Sequence, residues 1–450
     1  MEIASSTPEN TEPSTSKTVC ASLLEFSRKT KELGQRDSRR ICHAIKVSLS
    51  VTVVTLLFYF DPLNLGGFSF TAIFAVLSVV QVLEFSVGAS LGRGINRMVG
   101  TLIGVILGPP AHHLATISGK TGMPIFITLF LIIMSAILSF MRCIPRITAR
   151  YDNGLLMLLL TFCLVCVSSY EDNDALAIAK HRIIAIVIGS CTSMVISIFI
   201  FPVWIGEDLH NLVARNVEKI GDFLEGFGGE YFQVRGDGES NIDDKSFLQG
   251  YISVLSSKET EENMANMAFW EPCHGRFRFR HPWKQYLKVG ATTRRCAYKI
   301  EALHGYLTSD TQTPLQIRRR IQEPCTKIAL ECGKALKELA TTSKRMRRST
   351  LADTHLANAK AEAENLKSML KTQWWEYPNM LEITPALAVL SLLLEVVECT
   401  EKIGVAFREL SSVARFKNDQ ENSLHRRSVQ PVASRAQSIE EPELAVTIEQ

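Results

Sequence analysis

The run MPIFITLFLIIMSAILSFM, residues 123–141, is nineteen positions long and carries no charge. As a helix rising 1.5 Å per residue it reaches about 28 Å, close to the ~30 Å hydrocarbon thickness of a bilayer. HRIIAIVIGSCTSMVISIFIFPVW at 181–204 repeats the pattern, and GLLMLLLTFCLVCVSSY at 154–170 is a shorter version. Working outward from these gives three more spans at 41–60, 66–83 and 88–108, of which the first and third are interrupted by Lys46, Arg93 and Arg97. The expected fold is therefore an all-α membrane protein, with six transmembrane helices in 41–204 followed by a helical cytosolic domain.

The whole-chain figures conceal this. With 450 residues, 46% hydrophobic, 21% charged and a net charge of +3, the chain resembles an ordinary soluble protein. Yet 41–204 holds only nine Lys/Arg and six Asp/Glu, and the remaining 80 charges lie in the other 286 residues. Such a division excludes a uniform globular chain, disorder throughout, and a nucleic-acid binder built on bulk positive charge.

Residues 1–40 are Ser/Thr/Pro/Glu-rich and then basic, with no early apolar run, so the first span is expected to act as the signal. Lys and Arg resist translocation. Arg28, Lys29, Lys31, Arg36, Arg39 and Arg40 precede span one, and Arg142, Arg146 and Arg150 lie between spans four and five. The alternate loops carry Asp61, or His112, His113 and Lys120, or Glu171, Asp172 and Asp174. Both termini are accordingly expected in the cytosol, with 205–416 as the cytosolic helical domain and 417–450 as a disordered tail.

Within 205–416, apolar residues recur at helical spacing around Leu209, Leu212, Val217 and Ile220, and again at 244–269, 283–308, 315–341 and 384–412. Loops are expected at 234–238 and 269–283. In the tail, Arg426-Arg427-Ser428 matches a basophilic phosphorylation pattern.

The eleven Cys are scattered, several in apolar stretches (Cys163, Cys166, Cys191), where a thiol acts as a small hydrophobe. No P-loop, zinc-binding H-E-x-x-H or G-x-S-x-G elbow occurs, so no enzyme activity, metal or cofactor is expected. His112-His113 reads as a loop pair. The interleaved bases and aromatics of RFRFRHPWKQYL at 276–287 fit either an anionic ligand such as lipid or RNA, or an aromatic packing surface, the reading preferred on base rate.

Ionisable residues inside spans are costly and point by default to a pathway. Lys46, Arg93, Arg97, Arg150 and Arg182 form a set of one sign, with Glu84 and Asp152 too few to neutralise them. Cations of this kind line anion pores; alternatively, long basic side chains snorkel to headgroups from helix ends. Gly88, Gly92, Asn96, Gly100, Gly104 and Gly108 place a small or polar residue at every fourth position of span three, a stripe suited to close helix packing.

Several strings carry a resemblance to a known family: EFSVGASLGRGINR (84–97), AHHLATISG (111–119), ARYDNGLL (149–156), FPVWIGEDLHNLVARNVEKIGDFLEGFGGEYF (201–232), WEPCHGRFRFRHPWKQYLKVG (270–290), CAYKIEALHGYL (296–307) and ARFKN (414–418). On these the chain resembles the plant aluminium-activated malate transporters, a family of anion channels. The resemblance implies a homodimer of six-span subunits that passes malate and inorganic anions through the bilayer. It marks Trp270-Glu271-Pro272 as a signature with a gating or structural role of Glu271, and it associates the basic residues Lys46, Arg93, Arg97 and Arg182 with the anion path. Phe74 stands where family members carry Trp, and the acidic segment 171–178 departs from the spacing of aluminium-responsive members. The short segment before span one resembles plasma-membrane rather than vacuolar members. A proton-coupled organic-acid carrier, with Glu84 as the titrating group, is the alternative.

Overall fold

In a computed structural model, the described residues are 38–60, 70–168, 175–232, 248–308, 315–348, 350–373 and 380–418, together with Glu25 and Arg28. The expected acidic outer loop at 171–174, the 234–238 loop, the tail from 419 and the Ser428 motif lie outside them. Helices dominate, and they sort into two compact units: Met1–Asn216 with Ile252–Arg294, and Val217–Tyr251 with Arg295–Gln450.

The first unit holds α1 (Ser38–Phe60), α2 (Phe70–Val82), α3 (Val87–Thr116), α4 (Gly119–Arg142), α5 (Pro145–Ser168), α6 (Ala175–Phe199), the start of α7 (Ile205–Phe232), most of α8 (Gly250–Leu255), α9 (Lys258–Ala268) and the start of α10 (Trp283–Thr308). Its centre is α3, which packs most extensively on α5 and then on α6. Two apolar clusters flank it, one joining Val54, Phe58, Ala72, Val79 and Ala185, the other Ala115, Ile127, Phe162 and Cys166. Outward-facing side chains such as Ile132, Phe140, Val195 and Phe199 are apolar and exposed, as a lipid-facing surface requires.

Ser86 starts α3: its extended backbone (φ −104°, ψ 153°) lets its Oγ accept from Ala89 N. The helix then continues past the expected end at 108, through Pro109-Pro110, to Thr116. His112 and His113 therefore lie in its last turns, and the expected loop pair is corrected. Proline does not stop a helix of this kind because neighbouring helices hold the backbone where no competing water exists.

Among the described residues six helices are long and apolar enough to cross a membrane: Ser38–Phe60, Val87–Thr116, Thr121–Arg142, Pro145–Val167, Lys180–Phe199 and Ile383–Val413. Membership differs from expectation. The described part of the 66–83 span is the shorter apolar helix Thr71–Val82, while Ile383–Val413 qualifies from within the expected cytosolic domain.

The second unit explains that last helix. It comprises the remainder of α7 and α10 with α11 (Leu315–Lys344), α12 (Leu351–Gln373) and α13 (Met380–Val413). Although apolar, α13 forms ion pairs with the other helices of this unit, Arg408 with Asp353 at 2.6 Å, Glu395 with Lys299 and Glu401 with Lys360. Its apolar side chains Val389, Leu393, Val396, Ile403 and Leu410 are buried in this unit's core. Lys417–Asn418, expected to begin the tail, instead pair in parallel with Arg347–Arg348 as a two-residue ladder.

Candidate functional site

The five basic residues singled out from the sequence fall into two environments. Lys46 on α1, Arg97 on α3 and Arg182 on α6 are buried, with 1%, 3% and 4% exposure. No carboxylate pairs with any of them among the described residues. Arg97 donates from Nη1 to Gln81 Oε1 and lies 3.0 Å from Met157 Sδ, while the Arg182 guanidinium rests 4.2 Å over the Phe74 ring. The groups of Arg97 and Arg182 are near enough to repel. Buried charges normally have a counter-ion, since an isolated one is expensive in low dielectric. Phe74, which occupies the position noted above as a departure from the family pattern, supplies the aromatic face for Arg182.

Arg93 and Arg150 instead line a cavity of about 480 Å³, with Asn96, Asn153, Asn266 and Trp270 among the other walls. Although Arg93 and Arg97 are one helical turn apart, only Arg93 reaches this space. Glu84 pairs with Arg93, and Asp152 is held by Arg142 at 2.6 Å, so both acids on the wall are already engaged. Arg150 donates from Nε to Asn266 Oδ1 at 3.1 Å and sits 4.4 Å over the Phe269 ring.

Amides tie the walls together. Asn153 donates to the Arg93 carbonyl at 3.3 Å, and Asn96 donates to the Arg150 carbonyl at 2.5 Å, so α3 and α5 hold each other's basic residues in register. Gln81, Asn153 and Asn266 were not among the expected site residues; their signal is that of a polar amide beside an apolar span.

The glycine stripe of α3 faces backbone and rings. A Cβ on Gly100 would collide with the Gly154 carbonyl, and one on Gly104 would lie 2.9 Å from Thr161 Cβ. Nearer the cavity, a Cβ on Gly92 would lie 2.8 Å from the Trp270 ring, and one on Gly88 would meet the Met267 carbonyl and Glu271 Cγ.

Trp270-Glu271-Pro272 follows α9. Trp270 lies edge-on to Tyr151, with centroids 6.1 Å apart. Glu271, 3% exposed, accepts at Oε1 from Ile205 N (2.7 Å) and at Oε2 from Gly206 N (3.1 Å), the first amides of α7. These amides and the helix dipole favour a carboxylate. Burial opposes them and wins, raising the carboxyl to about 7, with Asp208 adding repulsion. The carbonyl of Pro272 is 3.0 Å from His274 Nδ1, and the His274 ring stacks on Trp204 at 3.8 Å. Beyond it, Tyr286 Oη lies within hydrogen-bond distance of His210 Nδ1 (3.0 Å) and His281 Nε2 (3.2 Å). Burial holds His281 down at about 4, with His210, His274 and Arg278 repelling its charged form.

No group of three or more His, Cys, Asp or Glu side chains that could hold a metal occurs among the described residues.

A family model described as "Aluminium activated malate transporter" matches residues 31–377. Among curated relatives, "Aluminum-activated malate transporter 2" of Arabidopsis thaliana is 41% identical over 401 residues, covering 89% of this chain and 80% of the relative. "Aluminum-activated malate transporter 7" of the same plant is 40% identical over 428 residues, covering 89% and 84%. "Aluminum-activated malate transporter 1" of Triticum aestivum is 35% identical over 407 residues, covering 88% and 87%. With the family model spanning most of the sequence and such relatives agreeing along nearly all of it, this multi-pass membrane chain belongs to the aluminium activated malate transporter family.

Proposed function

We propose that this malate transporter is a passive anion channel, in which malate and inorganic anions move down their electrochemical gradient past Lys and Arg side chains. The observation that carries this reading is the burial of Lys46, Arg97 and Arg182 on three helices with no carboxylate partner among the described residues. A hydrated dicarboxylate supplies the counter-charge these groups lack, and several moderate sites conduct better than one deep well. Arg93 and Arg150, on the cavity wall, form a vestibule that gathers anions before they reach the buried set. Trp270, Glu271 and Pro272 act as the gating element, because Trp270 abuts α3 at Gly92 and Glu271 links α3 at Gly88 to the first amides of α7.

In this reading the working unit is a homodimer in the plasma membrane with both termini in the cytosol, 41–204 carrying the pathway and 205–416 its cytosolic regulator. Patch-clamp recording of the purified, reconstituted protein tests it. Malate- and chloride-carried current is expected; its absence, or full current after Arg93→Glu with Arg97→Glu, overturns the proposal.

A second reading, a proton-coupled carrier, draws on Glu84, a carboxylate on the cavity wall beside Arg93. Saturable flux driven by a pH gradient and abolished in Glu84→Gln would support it over the channel.

A further inference from the structure

Between Pro272 and Gly290 the chain carries five bases, Arg276, Arg278, Arg280, Lys284 and Lys288, and no acid. The structure sorts this segment into two faces. A tight turn closes where Phe277 N donates to His274 O at 2.9 Å and His274 N to Phe277 O at 3.1 Å, with Gly275 supplying the left-handed backbone (φ 51°). Phe277, His281 and Trp283 point inward onto Tyr286 and one another. Arg276, Arg278, Phe279, Arg280 and Lys284 point outward. Phe279 is 62% exposed, and the Arg280 guanidinium lies 5.4 Å from its ring centroid. None of these four cations pairs with a carboxylate among the described residues.

The turn also has a defined place in its unit. His274 stacks on Trp204, the residue that ends the last apolar stretch and precedes α7, and Glu271 binds the next two amides. The cationic face is thus one ring removed from the end of the membrane-crossing helices, where headgroups lie. A single exposed aromatic among guanidiniums suits that zone: the ring enters the boundary between headgroup and acyl chain while the cations meet phosphate. A nucleic-acid platform would need several exposed rings for successive stacks. Here Phe277 and Trp283 are buried, leaving Phe279 by itself.

We propose that the outward face of Arg276–Lys284 binds the headgroups of anionic phospholipids, with Arg276, Arg278 and Arg280 holding phosphate and Phe279 inserted beside the acyl chains. Native mass spectrometry of the purified full-length protein, titrated with phosphatidylserine or phosphatidylcholine, tests this. Wild type is expected to take up phosphatidylserine at about tenfold lower concentration than phosphatidylcholine. The preference is expected to vanish in R276Q/R278Q/R280Q, to persist in R276K/R278K/R280K, and to weaken in Phe279→Ala. These side chains are exposed, and the lysine variant controls for folding. An unchanged preference in the glutamine variant overturns the proposal. So does full competition by soluble glycerophosphoserine, which would show a headgroup-sized anion to be sufficient, or displacement of the lipid by poly(U) RNA at lower concentration.

Discussion

The carboxylate of Glu84 forms an ion pair with the guanidinium of Arg93 on the wall of the 480 Å³ cavity. Arg93 is thereby neutralised by the protein itself whenever no external anion competes. On the channel proposal, an anion approaching Arg93 would have to exchange with the Glu84 carboxylate.

Replacing Glu84 with Gln removes that competitor. Half-maximal current is expected at several-fold lower malate concentration, and Arg93→Gln is expected to shift it the opposite way. Current–concentration curves in bilayers check both; an unchanged midpoint in Glu84→Gln would show that the pair lies off the anion's route.

The buried cations lead to a prediction in which stability and transport part company. An unpaired charge in low dielectric costs stability, on the order of 2.5–3.5 kcal/mol on insertion scales for a span centre. Lys46→Met and Arg182→Met are therefore expected to raise the melting temperature in detergent while reducing anion current at least tenfold. Lower stability together with normal current would identify them as structural.

Glu271 gives a dependence on pH. Its folded-state value, about 7, lies above the ordinary 4.5, so the native state holds the proton more tightly than the unfolded chain. Its contribution is complete below about pH 4.5 and is lost as pH rises through 7. The charged and titratable neighbours are Asp208 on α7 and His274, whose Nε2 is 3.9 Å from Oε2. Glu271→Gln, which keeps an oxygen to accept from Ile205 or Gly206, is expected to flatten the change in melting temperature between pH 5 and 8. An identical slope in both proteins would remove Glu271 from the pH response.

Glycine substitutions separate close approach from mere helical position. Gly100→Ala drives a methyl into the Gly154 carbonyl, which is backbone and cannot rotate away, and is expected to cost about 1–3 kcal/mol. Gly229→Ala, on α7 with nothing within 4 Å of the new carbon, is expected to gain up to about 1 kcal/mol from helix propensity. Thermal unfolding of the two variants measures the contrast.

Much of this architecture is legible in residues that violate their surroundings. Lys46, Arg97 and Arg182 stand out because apolar runs tolerate few charges, and 123–141 stands out because it has none. The second span is harder, since its described part, Thr71–Val82, is too short to declare itself. Helix α12 was not singled out: its inward face is Ala352, Leu356, Ala359, Ala363 and Leu366, and alanine contributes little to an apolar stripe. Helix α13 shows the reverse: it is long and apolar enough to cross a membrane, yet it lies in the segment read as cytosolic and buries Val389, Leu393, Val396 and Leu410. In the site, the basic residues are visible and their partners are not. Arg150 meets Asn266 from 116 positions away, and an amide carries neither charge nor strong hydropathy to advertise that meeting.

The approach of Gly100 to the Gly154 carbonyl also bears on where solute travels. Two backbones in van der Waals contact leave no lumen between them, so at that level the seam between α3 and α5 is sealed to water and ions alike. A conduit past α3 would therefore run clear of the Gly100–Gly154 contact, one turn away from which Arg97 reaches both Gln81 and Met157 of α5.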